Sequence, residues 1–480
     1  MLMCGIIDTL ERNSVATDLL SYFFCLASDS NNNCATSVLR GLIYDIVKRQ
    51  RSLICHVRAE YDSTGRLLFT DTNAWQALSR IFFKILGDPN LRSKTIYLLV
   101  DAVDECVNAV DRKDILELII NASKNFSHVK WIISSRGWTE ISKVLEGAEN
   151  MIHISVEPNS KTMENAVKVY IQHKVNSLAK EKKYDENMEV TVRDHLTAKA
   201  NGTFLWVALV CKELENLPHR HQISSLRAFP ADLDELYGRM MNQIEGLERD
   251  SELCKQVLAI TLVVKRPLSL QELGCLVEEL EEFADDETEM KDVINKCGSF
   301  LFVQENTVYF VHQSAKDYLM KQGCKVVFPR GDGAVHFEIL SRSFKVMTKV
   351  LQHSMFKART VGTLAEYRTR PDPDPLRTIG YSCVYWAHHI EPYGIDCNFS
   401  ESTIAGIIQV FLQDLLHNWI ESLCFLDHLQ DGYLALRLCS CRTMRKEPQK
   451  IPRLFYQSEE GLQLFKTKMR ESKLTTFNSY

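Results

Sequence analysis

Along the first third of the chain, short apolar runs alternate with stretches of helical spacing. Leu20-Ser21-Tyr22-Phe23-Phe24-Cys25, Ile96-Tyr97-Leu98-Leu99-Val100 and Val129-Lys130-Trp131-Ile132-Ile133 are brief runs, β-branched and aromatic in part. Runs of that length suit strands buried on both faces, as in a parallel sheet covered by helices. Between them, Val38, Leu42, Ile43 and Ile46 share one face of a helix over residues 35–48. Trp75, Leu78, Ile81, Phe82 and Ile85 share one face of another. Residues 1–12 and 115–122 read as further helices, and Met151-Ile152-His153-Ile154-Ser155 as a further short strand. Residues 1–157 therefore predict a parallel α/β domain.

Strand patterning then stops. Residues 161–280 are helical in spacing, and Ser269-Leu270-Gln271-Glu272 is a capping box that opens one of the helices. The strongly acidic residues 278–289 read as a solvated helix end or loop. Phe300-Leu301-Phe302-Val303 and Val308-Tyr309-Phe310-Val311 predict a β-hairpin, with Asn306 able to supply its turn. Helices before a hairpin suggest a winged helix, and a helix follows at once from His312 through Leu319. Arg370-Pro371-Asp372-Pro373-Asp374-Pro375 reads as an extended linker. Aromatic-rich helices follow around residues 381–390 and 404–425, and His388-His389 within the first reads as packing rather than metal binding. From Cys439 the chain is basic and weakly patterned, which predicts poor order. The expected division is an α/β domain over 1–157, a helical domain over 158–247, a winged-helix domain over 248–330, a C-terminal helical domain over 331–430 and a poorly ordered tail over 431–480.

Length and composition agree with several domains. The chain has 480 residues, 45% hydrophobic and 25% charged, which is the balance of a soluble globular protein. A net charge of −5 gives no global drive toward nucleic acid or an anionic membrane. The 15 cysteines are scattered, without a second pair at zinc spacing, and predict a reduced, cytoplasmic chain. No run reaches the length of a transmembrane helix, so no membrane segment is expected.

The candidate chemistry lies at the end of the second apolar run. Asp101, Asp104 and Glu105 follow Val100 within five positions. Ligands of open α/β sheets bind just beyond the carboxyl ends of strands. Carboxylates there suit a hydrated Mg²⁺, which favours oxygen ligands and shares its site with phosphates. Asp101 is the candidate metal ligand, and Asp104 and Glu105 are candidates to orient or deprotonate an attacking water. The same residues also suit a buried strand followed by an acidic helix start. The third run ends in Ser134-Ser135-Arg136, where Arg136 could touch a phosphate or simply pair with Glu140 at helical spacing.

Together these stretches, with Asn201-Gly202-Thr203-Phe204-Leu205-Trp206-Val207 and Val311-His312-Gln313-Ser314-Ala315-Lys316-Asp317-Tyr318-Leu319, resemble the NACHT domain of STAND proteins of the fungal heterokaryon-incompatibility type. The resemblance spans roughly residues 1–425 and implies a P-loop NTPase-like fold and a nucleotide-dependent signalling switch using Mg²⁺ with ATP or ADP. It implies that Asp101 faces Mg²⁺ and that Asp104 and Glu105 serve the hydrolytic water. Arg136 would read the γ-phosphate as a sensor-1 arginine, and His312 would contact the β-phosphate of ADP. Its partners would be other copies of itself or other STAND signalling proteins.

One motif of the family does not occur in these 480 residues: the Walker A loop G-x-x-x-x-G-K-[ST], whose backbone N–H groups and lysine cradle phosphates. In the family this loop immediately precedes the helix resembling residues 1–10, and its strand lies between those matching residues 129–134 and 151–155. Neighbouring strands lie about 4.8 Å apart, so the sheet is expected to lack its first strand and carry a slot about twice that wide. The expectation is absent or very weak nucleotide binding by this chain. The alternatives are a competent NTPase once the loop is supplied, or a nucleotide-independent scaffold.

Overall fold

The computed structural model describes residues 2–13, 18–27, 29, 32–65, 67–70, 73–106, 108–135, 161–352, 374–390, 401–426 and 428–446. They fall into two compact units, one of residues up to Ser135 and one from residue 161 onward. The whole is mixed α/β and mostly helical.

The first unit is built on a parallel three-stranded sheet in the order β1 (Leu19–Phe24), β2 (Ile96–Asp101), β3 (Val129–Ile133). Leu20 is level with Tyr97, Phe24 with Asp101 and Val100 with Ile133. β2 is central, and its residues Ile96, Leu98, Leu99 and Val100 are fully buried. Alternation along the strands divides these side chains between two faces. On one face Leu98 and Val100 join Leu39, Leu42 and Ile46 of the helix Ala35–Arg49, Leu78 and Phe82 of the helix Ala74–Leu86, and Ile115 and Ile119 of the helix Ala109–Asn125. On the other, Leu20 and Leu99 meet Met3 and Ile7 of the helix Leu2–Asn13. The apolar runs thus become strands because both faces are covered. Gly41 lies where its helix crosses β1, and a Cβ there would overlap the Phe23 ring. The expected strand over 151–155 and Arg136 lie outside the described residues.

In the second unit, long helices such as Lys161–Lys182, Phe204–Asn216 and Ser251–Val263 share one apolar core. The capping box forms in full: Ser269 Oγ accepts from the Glu272 N–H at 3.1 Å, and Glu272 Oε2 accepts from the Ser269 N–H at 3.0 Å. A small antiparallel sheet has the order β4 (Leu268–Ser269), β6 (Thr307–Phe310), β5 (Leu301–Gln304). Glu305 and Asn306, at φ 48° and 59°, make the two-residue hairpin turn.

The acidic residues 278–289 are mostly exposed, as expected of a solvated end, but two of them also bridge to another helix. Leu280 is buried, and Glu278 and Glu281 pair with Arg342 at 3.2 and 2.7 Å and with Lys345 and Lys349 at 3.0 Å each. The cations share one face of the helix Asp332–Leu351, so Glu278 and Glu281 form an inter-helix clamp. The chain around residue 430 also differs: the helix Leu429–Lys446 runs through the expected boundary and through Cys439-Ser440-Cys441. His389 is fully buried; its Nδ1 lies 2.7 Å from Nδ1 of His336 and its Nε2 2.8 Å from the Tyr381 hydroxyl. Among the described residues no helix is long and apolar enough to cross a membrane.

Candidate functional site

Asp101 is the last residue of β2, and the chain reverses directly after it. Ala102 adopts a left-handed conformation, φ 55° and ψ 52°, and Val103–Glu105 form one 3-10 turn. The reversal is held by β3. Ser134 Oγ donates to Asp101 Oδ1 and accepts from the Ala102 N–H at 2.9 Å. The Val103 N–H donates to the Ser134 carbonyl at 3.0 Å, and the Ser134 N–H to the Val100 carbonyl at 3.0 Å. One serine therefore fixes the carboxylate and the turn beneath it.

The three acids end in different settings. Asp101 is half-buried and Asp104 is buried. Glu105 is half-buried and accepts, through Oε2, from the Ala27 N–H at 3.0 Å, which ties it to the segment leaving β1. That segment is joined to β2 through the Cys25 N–H, which donates to the Asp101 carbonyl at 3.0 Å. Cys25 and Cys106 bracket the tie, with sulfurs 3.7 Å apart. Hydrogen bonding with Cys106, then burial, pushes the Cys25 thiol well above its ordinary range. Burial also raises the carboxyl of Asp111 on the neighbouring helix, against a hydrogen bond from the Ala35 backbone.

The structure thus brings Asp101, Asp104 and Glu105 together at the carboxyl end of the central strand, with Ser134 added from β3. Spacing alone did not single out Ser134, Ala27 or the Cys25–Cys106 contact; the small polar end of the third apolar run was the only hint. Among the described residues no three His, Cys, Asp or Glu side chains are grouped to hold a metal ion by themselves.

His312 belongs to the second unit, where it is exposed and caps the helix Gln313–Lys321. Its Nδ1 accepts from the Ser314 N–H at 3.1 Å and lies 2.8 Å from Ser314 Oγ, which in turn lies 2.9 Å from the Tyr237 hydroxyl. With Nδ1 accepting, the neutral ring carries its proton on Nε2.

Residues 1–136 match the family model of Nephrocystin 3, N-terminal. The vegetative incompatibility protein HET-E-1 of Podospora anserina is 43% identical over 454 residues, which is 91% of this chain and 33% of that protein. The chain therefore spans about a third of the length of the curated relative it matches. A Walker-type ATPase of Pyrococcus abyssi aligns over 65% of this chain and 93% of its own, at 12% identity and a TM-score of 0.24, a value that carries no weight for the fold. Identity of this degree, sustained over nearly the whole chain, makes it a member of the fungal HET-E-like, NACHT-type proteins.

Proposed function

We propose that this chain is the nucleotide-sensing part of a STAND signalling switch, opened by ATP or dATP and held closed by ADP. One observation carries the reading: a half-buried Asp101 at the carboxyl end of the central strand, oriented by Ser134. Asp101 takes Mg²⁺, directly or through water, and Mg²⁺ there would neutralise phosphate charge. Asp104 and Glu105 serve the hydrolytic water, and Arg136 reads the γ-phosphate. His312, its Nδ1 engaged by Ser314, offers its Nε2–H to a β-phosphate oxygen. Residues 248–330 act as the winged-helix domain, preceded in sequence by a helical domain over 158–247 and followed by one that starts at 331 and takes in the helix Leu429–Lys446. The partners are copies of the chain or other STAND proteins, in the cytoplasm.

These residues suit the metal end of such a site better than the phosphate end. No G-x-x-x-x-G-K-[ST] occurs in the 480 residues, and that loop supplies most phosphate contacts. This polypeptide by itself therefore binds nucleotide very weakly or not at all, and it becomes competent only if a strand and loop of that kind are supplied. A second reading, a nucleotide-independent scaffold, is favoured by Glu105 and His312 each holding a structural hydrogen bond.

Calorimetric titration of the 480-residue chain with ATP and Mg²⁺ separates these readings. No saturable binding is expected at micromolar nucleotide; tight Mg²⁺-dependent binding would refute the weak-binding proposal. Fusing a strand and Walker A loop ahead of residue 1 should restore binding, and Asp101→Ala should then remove its dependence on Mg²⁺. Failure of the fusion to bind leaves the scaffold reading.

A further inference from the structure

Cys25 and Cys106 lie 81 positions apart in sequence, and their sulfurs are 3.7 Å apart. Both belong to the core of the first unit; Cys106 is 0% exposed and Cys25 6%. Their backbones are held on both sides. The Cys25 N–H donates to the Asp101 carbonyl at 3.0 Å. The Cys106 N–H donates to the Val103 carbonyl at 3.2 Å, and its own carbonyl accepts from the Arg112 guanidinium at 2.6 Å. Neither residue lies within a strand. A disulfide needs a sulfur separation of about 2.05 Å, so the two side chains must close about 1.7 Å. No third His, Cys, Asp or Glu joins them as a metal-binding group among the described residues, which leaves two-thiol chemistry.

We propose that Cys25 and Cys106 form a reversible disulfide, a redox latch between the segment leaving β1 and the acidic turn after β2. Hydrogen peroxide is the oxidant. Cys25 is the residue of the pair with residual exposure, and its sulfur meets peroxide first. As its proton leaves, the sulfur attacks one peroxide oxygen, the O–O bond breaks and the departing oxygen leaves as water. The Cys25 sulfenic acid is then attacked by the Cys106 sulfur. The S–O bond breaks, the Cys106 proton goes to the leaving oxygen, and a second water departs. Two thiols are oxidised to one disulfide, and one peroxide is reduced to two waters. The fixed partner makes the second step effectively intramolecular, so sulfenic acid does not accumulate.

The latch spans the same two segments as the Ala27–Glu105 hydrogen bond. Cys25 is two residues before Ala27, and Cys106 directly follows Glu105. Closing it fixes Glu105 against the β1 exit. The disulfide does not depend on the nucleotide reading; only the effect on catalysis through Glu105 rests on it.

The test uses the 480-residue chain. The protein is treated with hydrogen peroxide, its remaining thiols are alkylated in denaturant, and the digest is analysed by mass spectrometry. The expected product is a Cys25–Cys106 cross-linked peptide, removed by dithiothreitol, and absent in Cys106→Ser, where Cys25 is trapped as sulfenic acid by dimedone. Recovery of both cysteines fully alkylated while exposed Cys4 and Cys55 are oxidised would overturn the proposal. Joining of either cysteine to a different one would do the same. Hydrogen exchange on the wild-type chain tests the latch: amides of residues 102–106 should exchange at least tenfold more slowly when oxidised and recover on reduction. Equal rates in both states would reject the latch even if the disulfide forms. Nucleotide binding enters neither readout, so failure of the switch reading leaves this result standing.

Discussion

At the scale of single residues, His312 has a structural role on one ring nitrogen, and the proposed functional one falls to the other. Its Nδ1 caps a helix through the Ser314 N–H, which leaves Nε2 to carry the proton. Loss of a helix N-cap costs about 1 kcal/mol, and asparagine is among the best caps. His312→Ala is therefore expected to lower stability by about 1 kcal/mol in urea unfolding, and His312→Asn to recover most of it. If both variants lose any nucleotide response of the completed chain, the ring does more than cap. Equal stability of His312→Ala and wild type would contradict the cap. Sequence reading found Asp101, Asp104 and Glu105 because they are contiguous with a strand end. It passed over Ser134 as a partner because parallel pairing joins positions some thirty residues apart, with no local signature.

At the scale of elements, most strands and helices were legible from periodicity because each had one buried face or two. The hairpin turn was readable from Asn306, and the capping box from Ser269 and Glu272. The acidic stretch is mostly solvated as its composition suggests, but the cationic helix face set against Glu278 and Glu281 had no local signature. Arg342, 5% exposed, takes the Cys275 carbonyl at 3.0 Å as well as two carboxylates, so its charge is compensated where water is scarce. Close packing of the sheet is tested at Gly41. A methyl group there meets the Phe23 ring, and overpacking of this kind costs about 1–3 kcal/mol. Gly41→Ala should lower the urea midpoint, and adding Phe23→Leu should recover part of the loss. A neutral Gly41→Ala would mean that the helix and β1 are less tightly apposed than described.

At the scale of the whole molecule, the described residues divide into two units, and the second holds a buried pair of histidines. These are His336 and His389, whose Nδ1 atoms meet. Lys265 donates its backbone N–H to the Tyr381 hydroxyl, which bonds His389 in turn. Burial pushes His336 down to about 4, against the pull of Asp332 and aided by Lys265. Burial, then His336, Lys265 and His388, hold His389 well below its ordinary value. An unfolded histidine titrates near 6.5, so between about pH 6.5 and 4 the unfolded chain takes up protons that the folded unit refuses. Stability from this pair is therefore full above that window and is lost as pH falls through it, by up to roughly 1.4 kcal/mol per pH unit for each histidine. Urea unfolding of the second unit between pH 7 and 4.5 should show this slope, and His336→Asn should flatten it. An unchanged slope in that variant would place the acid sensitivity elsewhere.

The left-handed alanine at position 102 has its own consequence. Placing a β-carbon in that conformation costs about 1–2 kcal/mol, which a glycine would escape. Glycine would also bring back to the denatured chain the freedom that alanine restricts, so the two gains largely cancel in net stability. What alanine contributes is confinement. The methyl group narrows the excursions open to the peptide between Asp101 and Val103, so the acidic bend holds one pose instead of wandering among several.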